Sequence, residues 1–324
     1  MITPFIRVLV LPFLSLTAMV HAAGDTNIVT EITGRFKPTK STVIMNYDVT
    51  YALLHIRLKR VANASLKATE GVWRSPLSRE SIPACLIDFQ VESPHTGDDT
   101  DDHVRLFKRT VSVLTMPDLR IITYAKHNDE FIKPFFRQAR RMNYIEIYNF
   151  ESGAPTYWHH DLLSGTVETN LPGMADLAKQ STEVATVFQT LYAAYNETPA
   201  PNQALAPSIH FNVDGTVRTF DLKMRKGQIS ALAFPGKFSA LSADIQPAKD
   251  SDGRNESFSM WCVPFRKFAL ETGDPELKSL AKTSLEWSML PLSGDYGLFL
   301  GSIQCTLTKI FVQAQDNPIS VVKR

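Results

Sequence analysis

The chain has 324 residues, a length that accommodates one large β-rich domain or two smaller ones. Hydrophobic residues make up 44% of it, an ordinary fraction for a globular protein. Its 34 Lys and Arg nearly balance its 33 Asp and Glu, so the chain has no general attraction for phosphate backbones or anionic lipid surfaces. This balance excludes nucleic acid as an expected partner.

Residues 1–22 have the pattern of a cleavable secretory signal peptide. Arg7 supplies a positive charge, an apolar run follows over 8–20, and the sequence ending at Ala22 matches a small-residue cleavage site. The run is shorter than the roughly 20 apolar residues of a spanning helix, and no second long run follows. We therefore expect export to the periplasm or cell envelope, a soluble mature chain without a transmembrane segment, and zero net charge once Arg7 is removed.

The dominant periodicity after residue 40 is two, which predicts half-buried β-strands. Over 43–51, for example, apolar residues alternate with Asn46, Asp48 and Thr50. Segment 23–40 is expected to be a flexible N-terminal segment, and 314–324 a C-terminal tail. The predicted strands cover residues 43–51, 54–68, 82–93, 104–116, 119–125, 143–150, 156–160, 208–213, 217–224, 236–245, 257–268, 285–290 and 301–312.

One segment between these strands has helical periodicity. From Met174 to Tyr195 the apolar residues recur at spacings of three, four and seven, which is the stripe of an amphipathic helix. A Pro-containing linker over 196–207 follows it, and 275–284 is predicted as a further short helix.

These elements predict a mainly β protein built from long antiparallel curved sheets, a sandwich or a half-open barrel, with one amphipathic helix. The β-rich domain is expected to span 41–313. It is either one domain or two β halves joined by helix 174–195 and linker 196–207.

The order of several short motifs along the chain resembles that of a known family. Tyr47-Asp-Val-Thr-Tyr51 comes early, and Phe258-Ser-Met-Trp261, Met289-Leu-Pro291 and Leu300-Gly-Ser-Ile303 come late. With this order the chain resembles, over most of its length, the exported bacterial proteins of the domain of unknown function numbered 3108. The resemblance implies a bacterial envelope location and an all-β-dominated fold, and it brings no catalytic residues with it.

The three cysteines, Cys85, Cys262 and Cys305, leave two alternatives open. An exported chain meets an oxidising compartment, so two of them could form a disulfide and leave the third unpaired. Their alternation with apolar residues instead favours three buried free thiols.

Two places in the sequence could hold a metal ion. Asp250, Asp252 and Asn255 offer alternating oxygen ligands of the kind that Ca²⁺ takes, although the set is incomplete and a solvated hairpin turn is the alternative. His159 and Asp161 could face one ion from the same side of a strand, but a third ligand would have to come from elsewhere. No motif for a cofactor occurs, and none is expected.

The sequence contains few motifs that would indicate an enzyme. The sequence lacks a nucleophile elbow, a zinc-peptidase motif and a phosphate-binding loop, which favours a non-enzymatic protein without deciding the question. Tyr144, Glu146 and Tyr148 share one face of a predicted strand and combine aromatic rings with a carboxylate, as carbohydrate sites do. The alternative is an exposed sheet face on which cross-strand aromatic pairs stabilise the sheet.

Three functions therefore remain open. The first is binding of an apolar, lipid or glycan ligand, or of an envelope partner protein, without catalysis. The second is a glycan-acting hydrolase that uses paired carboxylates from distant strands. The third is a purely structural module.

Overall fold

The structure is a computed structural model, and most of the predicted strands lie within its described part. The predicted signal peptide, most of helix 174–195, nearly all of linker 196–207 and the loop with Asp250, Asp252 and Asn255 lie outside it. The described residues are 35–53, 56–75, 77–93, 104–117, 121–133, 138–151, 156–169, 191, 195–196, 208–213, 216–231, 233–247, 258–283, 289–298, 301–313 and 320–322.

Fifteen strands and two helices occupy the described residues, so the mainly β class predicted from the alternation is confirmed. The strands are β1 Phe36–Leu53, β2 Ile56–Arg74, β3 Ser81–Glu92, β4 Val104–Thr115, β5 Ile121–Lys133, β6 Arg140–Asn149, β7 Thr156–Asp161, β8 Val167–Thr169, β9 Ser208–Val213, β10 Thr216–Ile229, β11 Phe238–Pro247, β12 Phe258–Pro264, β13 Met289–Leu298, β14 Gly301–Gln313 and β15 Ser320–Val322. The helices are α1 Phe265–Glu271 and α2 Pro275–Thr283.

All fifteen strands belong to one antiparallel sheet. The order across it is β8-β7-β6-β5-β4-β3-β2-β1-β14-β13-β12-β11-β10-β9, and β15 adds to β14. Strands that follow one another in the sequence are neighbours on either side of the β1–β14 pair, which joins the two ends of the chain. Within the described residues no ladder links β8 to β9, so the sheet stays open there.

One face of this sheet, here called the inner face, carries the core. The alternating residues Val43, Met45, Tyr47 and Val49 of β1 are 0–6% exposed, whereas the residues between them are only half-buried. A single cluster of buried side chains connects the strands before the predicted helix with those after it. Because each fully buried Leu or Phe contributes roughly 1.5–3 kcal/mol, this shared core stabilises both parts of the sheet together.

The region after β12 corrects one prediction. The strand expected over 257–268 ends at Pro264, and helix α1 follows it directly. Phe265, Phe268 and Ala269 are buried with the helical spacing of three and four, and Phe268 contacts Phe238 with ring centroids 4.9 Å apart. Two helical turns are too few for the helical spacing of these apolar residues to be recognised directly after the alternating apolar pattern of β12. The short helix predicted over 275–284 is confirmed as α2.

Strands lie closer to both ends of the chain than the sequence predicts. Strand β1 begins at Phe36, inside the segment expected to be flexible, because the Phe36 side chain packs in a small cluster with Trp73. Its ring also lies over Gly71, where a Cβ atom would come within 2.6 Å of the ring. In the predicted C-terminal tail, Ser320–Val322 form β15 against β14.

Leu191, Tyr195 and Asn196 are helical, in agreement with the end of the predicted amphipathic helix. The Tyr195 side chain attaches the end of this helical segment to β11 and α1. Its hydroxyl accepts a hydrogen bond from Lys267 Nζ (2.6 Å) and donates one to the Ser239 carbonyl (3.2 Å). Among the described residues, no helix is long and apolar enough to cross a lipid bilayer.

Candidate functional site

Three of the residues predicted as site candidates, Tyr144, Glu146 and His159, lie in a group of charged and polar side chains on the inner face of β4–β7, here called the inner polar cluster. Its members occupy the same alternating positions as the core residues Val111, Tyr124 and Tyr148, further along each strand. They are therefore turned toward the core side of the sheet. The inner polar cluster consists of Arg109, Lys126, Asn128, Glu130, Tyr144, Glu146 and His159.

Tyr144, Glu146 and Tyr148 do share one face of β6, but that face is not exposed, so the alternative of an exposed sheet face is wrong. Tyr148 is 7% exposed and packs between Tyr124 and Tyr157, with ring centroids 5.6 and 4.9 Å away. The physical reason is that β6 lies between β5 and β7, and both neighbours contribute rings to the core on this side.

The Glu146 carboxylate lies between a lysine and a histidine side chain. Lys126 Nζ on β5 is 3.0 Å from its Oε2, and His159 Nδ1 on β7 is 3.6 Å from its Oε1. Burial alone would raise the pKa of Glu146, but Lys126 and His159 outweigh burial and lower that pKa to about 2. Glu146 is therefore an ionised, paired carboxylate at neutral pH.

His159 is held by the same carboxylate and by aromatic rings. The Glu146 carboxylate raises the pKa of His159, although partial burial acts in the opposite direction. At 3.6 Å the contact is too long for a hydrogen bond, and Nδ1 has no hydrogen-bond partner among the described residues. The Tyr144 ring lies 5.3 Å from the imidazole, centroid to centroid.

The predicted pairing of His159 with Asp161 on a metal ion finds no support in the contacts. Asp161 Oδ1 accepts the backbone N–H groups of Leu163 (2.8 Å) and Ser164 (3.1 Å), which lower the Asp161 pKa and fix the turn after β7. In the described part of the chain, no three His, Cys, Asp or Glu side chains come together in a way that could hold a metal ion.

At the other end of the inner polar cluster, Arg109 bonds to Asn128 and Glu130. Arg109 donates to Asn128 Oδ1 through Nε (2.7 Å) and to Glu130 Oε2 through Nη2 (3.3 Å), and the Glu130 side chain has no exposed surface. Each carboxylate of the cluster thus has its own cationic partner. Since the charged groups are paired with one another and only His159 Nδ1 lacks a hydrogen bond among the described residues, the cluster is better suited to fixing the geometry of β4–β7 than to binding a ligand.

The face of the sheet opposite the core carries two grooves lined mainly by polar side chains, here called the large groove and the small groove. The large groove has a volume of about 590 Å³ and crosses β14, β1, β2 and β3. Arg60 pairs with Asp48 inside it, and Gln90 Nε2 donates to Glu92 Oε2 at 2.9 Å. Asn63 Oδ1 is buried at the floor and has no hydrogen-bond partner among the described residues.

The small groove has a volume of about 290 Å³ and crosses β12, β13 and β14. Asp295 lies in it and accepts hydrogen bonds at Oδ2 from Gln304 Nε2 (3.0 Å) and Ser302 Oγ (3.2 Å). Trp261 forms part of the lining and lies close against Gly227, where a Cβ atom would come within 2.9 Å of indole Cη2. Gly227 therefore determines how near the indole can lie to β10.

The two grooves adjoin along the β1–β14 ladder. Asp48 of the large groove is the register partner of Thr306, which lines the small groove. Together the grooves span six neighbouring strands at a spacing of about 4.8 Å, so one extended ligand could contact both.

Sequence reasoning missed both grooves. Some of their residues alternate along predicted strands, as in Ser259-Met-Trp261, whereas Ser293-Gly-Asp295 lies in β13 beyond the strand predicted over 285–290. Such alternation is typical of any strand with one exposed face, so the available signal was only the presence of a Trp and a carboxylate on that face. The grooves themselves come from pairing between strands that are distant in sequence.

The structure decides between a disulfide and three free thiols, the two alternatives for the cysteines. Cys85, Cys262 and Cys305 are free and buried, as the alternation with apolar residues predicted. Burial raises the pKa of all three thiols, which makes them poor nucleophiles at neutral pH.

Comparisons with known proteins give a likeness in fold and no function. No protein-family model matches the chain, and no curated protein matches it. One similar solved structure is a β-barrel-like protein of the domain of unknown function DUF1849 from Brucella abortus. It is 9% identical, the match covers 87% of this chain and 100% of that chain, and the TM-score is 0.46. Membership of the family numbered 3108 stays a prediction.

Proposed function

We propose that the protein is an exported, non-enzymatic binding protein that holds a hydroxyl-rich ligand of the glycan class in its two adjoining grooves. The observation that carries this proposal is the pair of grooves, with volumes of about 590 and 290 Å³ and linings rich in amide, hydroxyl and charged side chains. The larger volume falls within the range of sites for small organic ligands, and the smaller lies near its lower end.

The chemistry of the large groove favours a glycan over an apolar ligand or lipid. Sugar hydroxyls both donate and accept hydrogen bonds, so they match the unpartnered Asn63 Oδ1 and the amide of Gln90. An apolar ligand would displace the water that solvates the polar side chains of the groove without replacing its hydrogen bonds, at a cost of about 1–3 kcal/mol for each group. The core side offers less room, since side chains such as Phe89 and Leu307 are 0–2% exposed there.

Binding is tested by titrating the purified protein with a panel of bacterial envelope polysaccharides and their oligosaccharide fragments in a calorimeter. We expect at least one glycan to bind, and Gln90→Leu to weaken that binding about tenfold because it removes an amide that can bond to the ligand. Gln246→Leu, a matched change of an exposed residue on β11, should leave the affinity unchanged. A panel without any binding member would contradict the proposal and favour the structural module.

The same panel distinguishes binding without catalysis from the alternative of a glycan-acting hydrolase. If Asp48 and Glu92 of the large groove acted as a catalytic pair, incubation with a bound polysaccharide would release new reducing ends. The proposal predicts that the polysaccharide is recovered at its original length.

Export is tested separately, by expressing the full chain in a bacterium with a periplasm and sequencing the N-terminus of the recovered protein. Residues 1–22 support cleavage after Ala22, so the mature chain is expected to begin at Ala23. Recovery of the intact N-terminus in the cytoplasm would contradict this part of the proposal.

A further inference from the structure

The small groove differs from the large groove in its charge. Among the described residues that line it, Asp295 is the only one with a charged side chain. In the large groove, by contrast, the carboxylates of Asp48 and Glu92 are accompanied by Arg60 and Lys309. The small groove therefore presents a net negative charge, whereas the charges of the large groove balance.

The contacts of Asp295 hold its carboxylate in place without neutralising it. Both donors, Ser302 Oγ and Gln304 Nε2, are uncharged and reach the same oxygen, Oδ2. Within the described residues, Asp295 has no cationic partner and Oδ1 has no hydrogen bond. A carboxylate that is oriented by neutral donors and open on one side is suited to accept a charge-assisted hydrogen bond from a cation.

Trp261 adds a second feature that selects for a positive charge. Tryptophan has the most favourable ring for a cation–π contact, and Trp261 lines the same groove as Asp295. The hydroxyl groups of Ser259 and Ser293 lie among the lining residues and can bond to the uncharged part of a ligand.

We propose that the small groove binds a protonated amino group carried by a sugar, so that the ligand is a glycan containing free amino sugars. The Asp295 carboxylate accepts the ammonium hydrogen bond, Trp261 provides the aromatic contact, and the neighbouring hydroxyls bond to the sugar ring. This inference rests on the proposed glycan-binding function and adds the chemical class of the sugar.

The test compares three probes by calorimetry at a pH where sugar amines are protonated. The probes are a glucosamine oligomer, the N-acetylated oligomer of the same length, and spermidine, which is a cation without hydroxyl groups. We expect the glucosamine oligomer to bind about tenfold more tightly than either of the others. Asp295→Asn should lower its affinity about tenfold and leave the N-acetylated oligomer within twofold. Asp129→Asn, a change of a partly exposed carboxylate on β5, should alter neither.

The outcomes separate this inference from the function on which it rests. Equal binding of the two oligomers, or a preference for the N-acetylated one, overturns the amino-sugar inference and leaves glycan binding standing. Spermidine binding as tightly as the glucosamine oligomer overturns the sugar part, since charge alone would then explain the affinity. If neither these oligomers nor any member of the polysaccharide panel binds, both proposals fail. An Asp295→Asn variant that binds the glucosamine oligomer normally also overturns the inference, provided that its unfolding transition is unchanged.

Discussion

The two polar regions of the molecule lie on opposite faces of one sheet and use their charges differently. In the inner polar cluster, Glu146 pairs with Lys126 and Glu130 pairs with Arg109. On the groove side, Asn63 Oδ1 and the Asp295 carboxylate keep hydrogen-bonding capacity that no described residue uses. The comparison teaches that a cluster of polar residues indicates a binding site only where its groups are left unused by the protein itself.

This difference predicts separate consequences for substitutions. A change in the inner polar cluster should reduce the stability of the fold, because it leaves a buried partner unpaired. A change of Gln90 or Asp295 in the grooves should reduce ligand binding and leave stability nearly unchanged, because these side chains are only partly buried. The predictions below test that separation, beginning with the largest effect.

Replacing Arg109 by Ala should be the most damaging change. It removes the cation beside Glu130, whose side chain is fully buried, and breaking such a pair costs about 3–5 kcal/mol. Urea denaturation followed by circular dichroism measures the loss. Arg225→Ala on β10, where the side chain is exposed, is the matched control and should cost less than about 0.5 kcal/mol. A loss below about 1 kcal/mol for Arg109→Ala would mean that the inner polar cluster contributes little to the fold.

The Glu146 carboxylate should make stability depend on pH in the acid range. Its pKa is about 2 in the folded protein against an ordinary value of 4.5, so it stabilises the fold above pH 4.5, and this stabilisation is lost as the pH falls toward 2. The shift corresponds to stabilisation on the order of 3 kcal/mol. Urea midpoints measured between pH 2 and pH 6 should therefore fall less steeply for Glu146→Gln than for the unmodified protein.

Asp88 is a second carboxylate with a shifted pKa, and its effect on stability has the opposite pH dependence from that of Glu146. Burial raises its pKa to about 6, so its contribution to stability is present below pH 3.8 and is lost as the pH rises through 6. Because this effect is the same with and without Glu146→Gln, it cancels in the difference between the two curves. Parallel curves over the whole range would contradict the pairing of Glu146 with Lys126.

Gly227→Ala should have a smaller effect on stability and a clear effect on binding. A Cβ atom at this position would come within 2.9 Å of the Trp261 ring, so the indole must shift into the small groove. We expect a loss of about 1 kcal/mol of stability at most, together with weaker binding of any ligand of this groove. Gly165→Ala cannot serve as the control, because the positive φ of Gly165 strains any side chain. Gln228→Ala, a change of an exposed residue on β10 that does not line the small groove, is the better comparison.

Asp295→Asn should produce the smallest change in stability, within about 0.5 kcal/mol. The amide oxygen can still accept the hydrogen bonds from Ser302 and Gln304 while the charge is removed. The measurement is the urea midpoint at neutral pH, taken beside that of Arg109→Ala. A large loss for Asp295→Asn would show that the two faces do not differ as proposed.

Much of the fold could be predicted from the sequence because burial alternates over long stretches of β1 and β2. Over 43–51 each second residue faces the core, and this local pattern is sufficient to identify β1. Helix α1 could not be predicted, since its seven residues directly follow a strand and continue its apolar character. The pairing of β1 with β14 has no local signal at all, because the two strands come from opposite ends of the chain.

The candidate site could be predicted from the sequence less well than the fold. The shared face of Tyr144 and Glu146 follows from alternation, but whether that face is buried depends on the strands beside β6. The partners of Glu146, which are Lys126 and His159, are register neighbours supplied by β5 and β7. In the same way, Asp48 and Thr306 come together only through a ladder between distant segments.

The β1–β14 ladder also constrains how the nascent chain folds. Val43 pairs with Val312, so the first long strand to be synthesised must wait for almost the last one. Until then one edge of an 18-residue strand has unpaired N–H and C=O groups and an apolar face, a combination that favours aggregation. Contacts this distant in sequence slow folding. A chain that stops before β14 should therefore be recovered mainly as aggregate, and the intact chain should need protection by chaperones before its ends meet.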